Sequence, residues 1–195
     1  AVITGSDVAE RFYTDAVLEK LGIRAQAFSE KNITGDIDYV IYSSAYNPEK
    51  NPDLIEARSR TIPCLLYTEA LGEVSAQSYS AAVSGVHGKT STTGIVGTIF
   101  EETDMPVQVL AGSAIASFGG SCTMTSENYD IKKARNYFVA ETCEYRRHFM
   151  SFHPQKIILT SVESDHQDYY PTYEDIKNAF IDFICNLPTG GTLIY

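Results

Sequence analysis

No two of the four cysteines, Cys64, Cys122, Cys143 and Cys185, lie within a short spacing of one another. Zinc sites and redox pairs are built on Cys-x-x-Cys, so neither is expected, and the thiols read as reduced. No run of about 20 apolar residues exists, the length needed to cross a bilayer. The first residues, Ala1-Val2-Ile3-Thr4-Gly5, have neither the basic start nor the apolar centre of a signal peptide, which points to a cytoplasmic chain. Basic residues are also scarce: 15 Lys and Arg stand against 25 Asp and Glu. The deficit is even, with 12 acids against 7 bases over residues 1–79 and 13 against 8 over residues 80–195, or −5 in each part. Nucleic-acid binders present a basic face to the phosphate backbone. That class is excluded, and any anion must be held by a local device. Internal repeats and low-complexity segments are absent as well.

What is present is ordinary globular material. The 195 residues are 44% hydrophobic, 21% charged and 11% aromatic, enough to bury a core and to form one domain or two small ones. The first third alternates strand and helix signals. Ala1 to Thr4 is a β-branched run ending at Gly5, Asp15 to Leu21 has helical spacing and stops at Gly22, and Ile37 to Tyr42 reads as a strand. Asn51 to Arg60 reads as a helix opened by Pro52, where a missing N–H costs least, and Ile62 to Leu66 as a further strand. This rhythm predicts a parallel α/β sheet. A second unit is predicted from Tyr79, which divides the chain into residues 1–78 and 79–195. It opens with a strand from Tyr79 to Ser84 and a small-residue helix from Lys89 to Phe100. Strands follow at Val107 to Ala111, Tyr137 to Ala140 and Lys156 to Val162, then a helix from Thr172 to Leu187 with Ile176, Phe180, Ile181 and Ile184 along one stripe. Thr192 to Tyr195 closes the chain as a strand. Tyr137, Phe138 and Phe180 read as core, and Lys177 as solvent-facing.

Chemistry concentrates at three strand ends. Gly85-Val86-His87-Gly88-Lys89-Thr90 lies between a predicted strand and a predicted helix. A loop there turns backbone N–H groups and the positive helix end toward phosphates, Lys89 adds a cation, and Thr90 offers a hydroxyl to Mg²⁺. Val83 stands where the commonest Walker pattern has glycine, so this is the compact Gly-x-x-Gly-Lys-Thr form; the alternative is a glycine-rich turn with an incidental lysine. Lys89 is expected to be exposed on its loop, with little packing to lose. The second strand end is Val139-Ala140-Glu141-Thr142-Cys143-Glu144-Tyr145, where a carboxylate can hold a hard cation. The third is Glu163-Ser164-Asp165-His166-Gln167-Asp168. Arg146, Arg147, His148 and His153 read as a surface segment.

The run Gly85 to Thr93, the segment Glu141-Thr142-Cys143-Glu144-Tyr145, and Thr160-Ser161-Val162-Glu163-Ser164-Asp165-His166-Gln167-Asp168-Tyr169-Tyr170 together resemble the Mur ligases of peptidoglycan synthesis. Gly5-Ser6-Asp7, Ser43-Ser44-Ala45, Asn47-Pro48-Glu49 and Ile62-Pro63 extend the resemblance through the N-terminal third. It implies a Rossmann-like sugar-nucleotide domain over 1–78, without its opening strand, and part of a P-loop-type ATPase domain over 79–195. It implies an ATP-dependent amide ligase of cell-wall synthesis, with the histidine in the phosphate loop favouring L-alanine and UDP-N-acetylmuramate as substrates. A sister ligase adding a murein peptide to the same sugar nucleotide, or a non-catalytic nucleotide-binding module, are the alternatives. Carried over residue by residue, Gly85, Val86, His87, Gly88, Lys89, Thr90 and Ser91 would cradle ATP, and Thr90, Glu141 and His166 would surround Mg²⁺. Lys89, Glu141 and His166 would serve catalysis, while Asp7, Ser43 and Ser44 would touch the sugar nucleotide. Ser161 stands where the family commonly has asparagine. As an excerpt of a longer ligase, the chain by itself is expected to bind weakly and turn over nothing.

Overall fold

A computed structural model describes residues 2–130, 132 and 136–195. It divides into two compact units, Ala1–Ala70 and Leu71–Tyr195. In the first, β1 (Gly5–Asp7) pairs in parallel with β2 (Ala25–Ala27), and β3 (Val40–Tyr42) in parallel with β4 (Cys64–Leu66). Between them stand α1 (Tyr13–Lys20) and α2 (Pro52–Ser59). The parallel pairing follows from the strand and helix alternation, because parallel strands need a crossover between them. The opening strand begins at Gly5 rather than ending there. Its side chains Ser6 and Asp7 are polar, so hydrophobicity alone points to the wrong residues. Asn51 caps α2, its side-chain oxygen accepting from the N–H groups of Asp53 and Leu54 at 3.0 and 3.2 Å. The short strand Ala25–Ala27 carries no apolar run and escapes sequence reasoning.

The chain crosses into the second unit along α3 (Tyr67–Gln77), a helix the sequence patterning does not announce. Six strands then form one sheet in the order β10 (Thr192–Ile194), β9 (Lys156–Leu159), β5 (Tyr79–Ser84), β8 (Tyr137–Glu141), β6 (Val107–Ile115), β7 (Ser121–Thr125). All neighbours run parallel except β7, which folds back on β6. The helices α4 (Lys89–Glu102) and α5 (Tyr173–Cys185) flank the sheet.

Alternation along the strands sends consecutive residues to opposite faces. Ala82, Phe138, Ala140 and Ile157 join a core with Phe149, Phe152, Ile176, Phe180 and Phe183, while Val83, Val107, Val109 and Val139 build a second core with Phe118. Both faces are covered, as a largely parallel sheet requires. Phe149 stacks on Phe183 at 4.5 Å and meets Phe180 edge-on at 5.4 Å. Along α5 the buried stripe is Ile176, Ala179, Phe180 and Phe183; Ile181 points outward and is 44% exposed. That helix starts at a capping box between Thr172 and Asp175. The small residues of α4 let it lie close on β6 and the turn after it: a Cβ on Gly97 would stand 3.2 Å from Val109 Cγ2 and 2.6 Å from Phe118 Cζ. Among the described residues, no helix is long and apolar enough to cross a membrane.

The strand order places the site. β5 lies between β8 and β9, so the chain continues from it to opposite sides of the sheet. Ligand crevices of open α/β sheets form at such reversals, beyond the carboxyl ends of the strands. The register is level there, with Val83 opposite Glu141 and Ser84 opposite Leu159.

Candidate active site

The loop from Gly85 to Gly88 leaves β5 and enters α4. Gly88 is the helix N-cap with φ +80°, and Gly85 has φ +136°. A side chain at Gly85 would meet Thr160 Oγ1 at 2.2 Å and the Ser161 backbone N at 2.8 Å, so only glycine lets the loop pass this closely under the end of β9. The loop is pinned from that strand. Val86 N–H donates to Ser161 O at 3.1 Å and His87 N–H to Ser161 Oγ at 2.9 Å. Thr160 Oγ1 donates to His87 O at 2.6 Å. A serine at position 161 therefore serves as a hydrogen-bonding post for the loop. With Val86 and His87 spent on Ser161, the donors left for an anion are the first four N–H groups of the helix, those of Gly88, Lys89, Thr90 and Ser91, which have no intrahelical partner.

Lys89 is not the exposed lysine the loop suggests. Its side chain is 14% exposed. Its ammonium donates to Gly85 O at 2.6 Å, to Val86 O at 3.2 Å and to the Glu144 carboxylate at 3.0 Å. The reason lies in Glu144, which is 1% exposed and follows β8. A buried carboxylate requires a paired cation, and the loop lysine supplies it. His166 Nε2 approaches the other Glu144 oxygen at 3.2 Å. Together Glu144, Asp165 and His166 bring one ligand atom each within 4.8 Å of the others. Two carboxylates and an imidazole form a donor set suited to a divalent cation. Glu141 faces elsewhere: it accepts from Thr90 Oγ1 at 2.8 Å and from Gly112 N–H at 2.7 Å.

The segment after Glu144 is tightly bent. Arg146 and Arg147 take left-handed φ values of 50° and 60°, and His166 one of 52°. Arg147 pairs with Asp182 at 2.6 Å, Arg146 lies over the Tyr145 ring, and the Tyr145 ring sits 4.8 Å from that of His166. Cys64, Cys122, Cys143 and Cys185 are all free thiols.

In the first unit, a cleft of about 530 Å³ opens beside β1 and β3. Asp7 and Ser43 line it; Ser44, in the turn that follows, does not. The Asp7 carboxylate accepts from the Tyr46 hydroxyl and from Val8 N–H. That bond to Asp7 is the main cause that raises the Tyr46 pKa above its ordinary value. Behind them Asp53, 5% exposed, accepts from the Ser6 hydroxyl, from Ser29 N–H at 2.6 Å and from the Asn32 amide at 3.3 Å.

Comparison with known proteins places the chain in a family. The model of the Mur ligase middle domain matches residues 83–195, and that of the Mur ligase family, catalytic domain, matches residues 1–79. The chain belongs to the Mur ligase family. It is 48% identical to the UDP-N-acetylmuramate–L-alanine ligase of Treponema pallidum subsp. pallidum, over all of this chain and 39% of that protein. It is 39% identical to the protein of the same name from Borreliella burgdorferi, over 98% of this chain and 40% of that protein. The chain thus spans about two fifths of the length of these curated relatives. The solved structure of UDP-N-acetylmuramate-alanine ligase from Thermotoga maritima shares the fold with a TM-score of 0.80 at 23% identity, covering 98% of this chain and 43% of that one.

Within this Mur ligase chain, the structure brings Lys89 and His166 together through Glu144, and Thr90 together with Glu141. Glu144, Asp165, Asp53 and Tyr46 are the residues that sequence reasoning passes over. Glu144 stands inside a recognised motif, and only its burial distinguishes it from Glu141. Asp53 sits at the start of a helix, where an acid reads as a simple response to the helix dipole.

Proposed function

We propose that the protein is an ATP-dependent amide ligase of the cytoplasm that joins L-alanine to UDP-N-acetylmuramate. Residues 1–78 serve the sugar nucleotide and residues 79–195 serve ATP. The observation that carries this is the convergence of three parallel strand ends on one linked set: the phosphate loop after β5, Glu144 after β8 and His166 after β9. The two curated relatives named above carry the same activity in their names.

The N–H groups of Gly88, Lys89, Thr90 and Ser91 receive the ATP phosphates, and Lys89 turns from its loop carbonyls toward them. Glu144, Asp165 and His166 are the side chains that would hold Mg²⁺, and their oxygen-rich donor set fits that ion; Thr90 and Glu141 are bonded to each other instead. Bound there, magnesium neutralises phosphate charge. The lactyl carboxylate of the sugar nucleotide attacks the γ-phosphorus, the bond to ADP breaks, and an acyl phosphate forms. The amine of L-alanine then attacks the acyl carbon, phosphate leaves with the bonding pair, and the amine loses a proton. Placement and charge neutralisation carry most of such a phosphoryl transfer. Asp7 and Ser43 contact the sugar nucleotide in the first cleft, with Ser44 at its margin.

The test is phosphate release by the intact gene product that contains this chain, incubated with ATP, UDP-N-acetylmuramate and one amine at a time. Release that depends on L-alanine supports the proposal. Release only with a murein tripeptide assigns the sister activity. Nucleotide binding with no release under any amine leaves a binding module and overturns the assignment.

A further inference from the structure

The loops that carry Glu144 and His166 leave different strands and are both bent into left-handed backbone beside these residues. Non-glycine residues hold such conformations only where the surroundings fix them. One residue bonds to both backbones. Tyr170, 4% exposed, donates its N–H to His166 O at 2.8 Å and its hydroxyl to Glu144 O at 2.6 Å. Its ring is part of the apolar core that contains Phe149, Ile176 and Phe180, so the clamp is anchored on the packed side of the sheet. Besides the contact of His166 with Glu144 itself, the Tyr145 hydroxyl donates to Asp168 at 2.7 Å between the same loops, but that bond is solvent-exposed, and exposed bonds hold geometry less firmly.

We propose that Tyr170 is a positioning residue whose two hydrogen bonds set the separation of Glu144 and His166, and with it the affinity of the site for a divalent cation. This rests on the assignment of Glu144 and His166 as cation ligands. Partners of metal ligands fix ligand orientation, and their loss commonly weakens binding by roughly 10- to 100-fold.

Tyr170→Phe removes only the hydroxyl. Glu144 O keeps the Arg147 N–H at 2.9 Å, so no buried group loses its last partner. Binding of Mn²⁺ alone, followed by the electron paramagnetic resonance of the free ion, should weaken by about tenfold or more in this variant while its melting temperature stays within a few degrees. p-Aminophenylalanine at 170, which restores a donor on the same ring, should recover most of the affinity and also decides the matter if the phenylalanine variant folds poorly. His166→Ala serves as reference. Wild-type affinity in Tyr170→Phe beside lost affinity in His166→Ala would overturn the positioning role and leave the cation assignment standing. Unchanged affinity in His166→Ala would overturn both.

Discussion

Removing the Lys89 ammonium should destabilise the fold as well as abolish nucleotide use. The buried Glu144 carboxylate loses its cation at 3.0 Å, and the carbonyls of Gly85 and Val86 lose a donor. Deleting one partner of a fully buried ion pair costs about 3–5 kcal/mol. Lys89 retains some solvent contact and His166 stays near Glu144, so about 2–3 kcal/mol is the expected cost of Lys89→Ala after that discount. For a chain of this length such a loss lowers the melting temperature by roughly 5–10 °C. Thermal unfolding of the wild type, Lys89→Ala, Glu144→Gln and the double variant measures it directly. Once the stranded charge is gone, the double variant should be at least as stable as Lys89→Ala, giving a coupling of about 1 kcal/mol or more. Melting of Lys89→Ala within about 2 °C of wild type, or strictly additive effects, would refute the buried pair and restore the picture of an exposed loop lysine.

Gly85→Ala should cost about 2–4 kcal/mol in urea unfolding, because it adds a clash with Thr160 and Ser161 to an unfavourable φ, whereas Gly88→Ala, with Thr160 Cβ 3.8 Å away, should cost only about 1 kcal/mol. Equal costs would remove the close-approach argument. Asp53→Ala leaves Ser29 N–H without its acceptor, so amide exchange at Ser29 should accelerate and the first unit should lose about 1–3 kcal/mol; unchanged exchange would show that Asp53 holds nothing. Burial, the largest cause, pushes the Tyr170 pKa from 10.0 up to about 12. The folded state keeps this proton where the unfolded chain has lost it, so the contribution is fully present below pH 10 and disappears as pH rises toward 12. Stability measured across that window should fall more steeply for the wild type than for Tyr170→Phe.

The parts of the fold legible in the sequence are those where pattern and packing agree. Tyr79–Ser84 and Tyr137–Glu141 are apolar runs because both faces of their sheet are buried. The helix Tyr67–Gln77 was not legible, since Gly72 and Ser75 are its buried positions and neither is apolar. They are buried for close approach: a Cβ on Gly72 would lie 2.1 Å from Ser151 O, and Ser75 Oγ accepts from His153 N–H. The hairpin strand Ser121–Thr125 has the same character, polar and half-buried at a sheet edge. In the site, Lys89, Thr90 and His166 stand out by type and spacing. Glu144 does not, because two carboxylates three residues apart differ only in which way the chain at the end of β8 turns them, and the bend there is held by Tyr170 and, through Arg147, by Asp182, both far along the sequence.

The most direct measurement is a crystal structure of the protein with a non-hydrolysable ATP analogue and Mn²⁺, located by anomalous scattering. The phosphates should lie on the N–H groups of Gly88, Lys89, Thr90 and Ser91, with Lys89 turned from Gly85 O onto them. The manganese peak should fall within direct or one-water reach of Glu144 and His166. A nucleotide bound away from the α4 N-terminus, or manganese beyond that reach of both side chains, would contradict the assignment of this site.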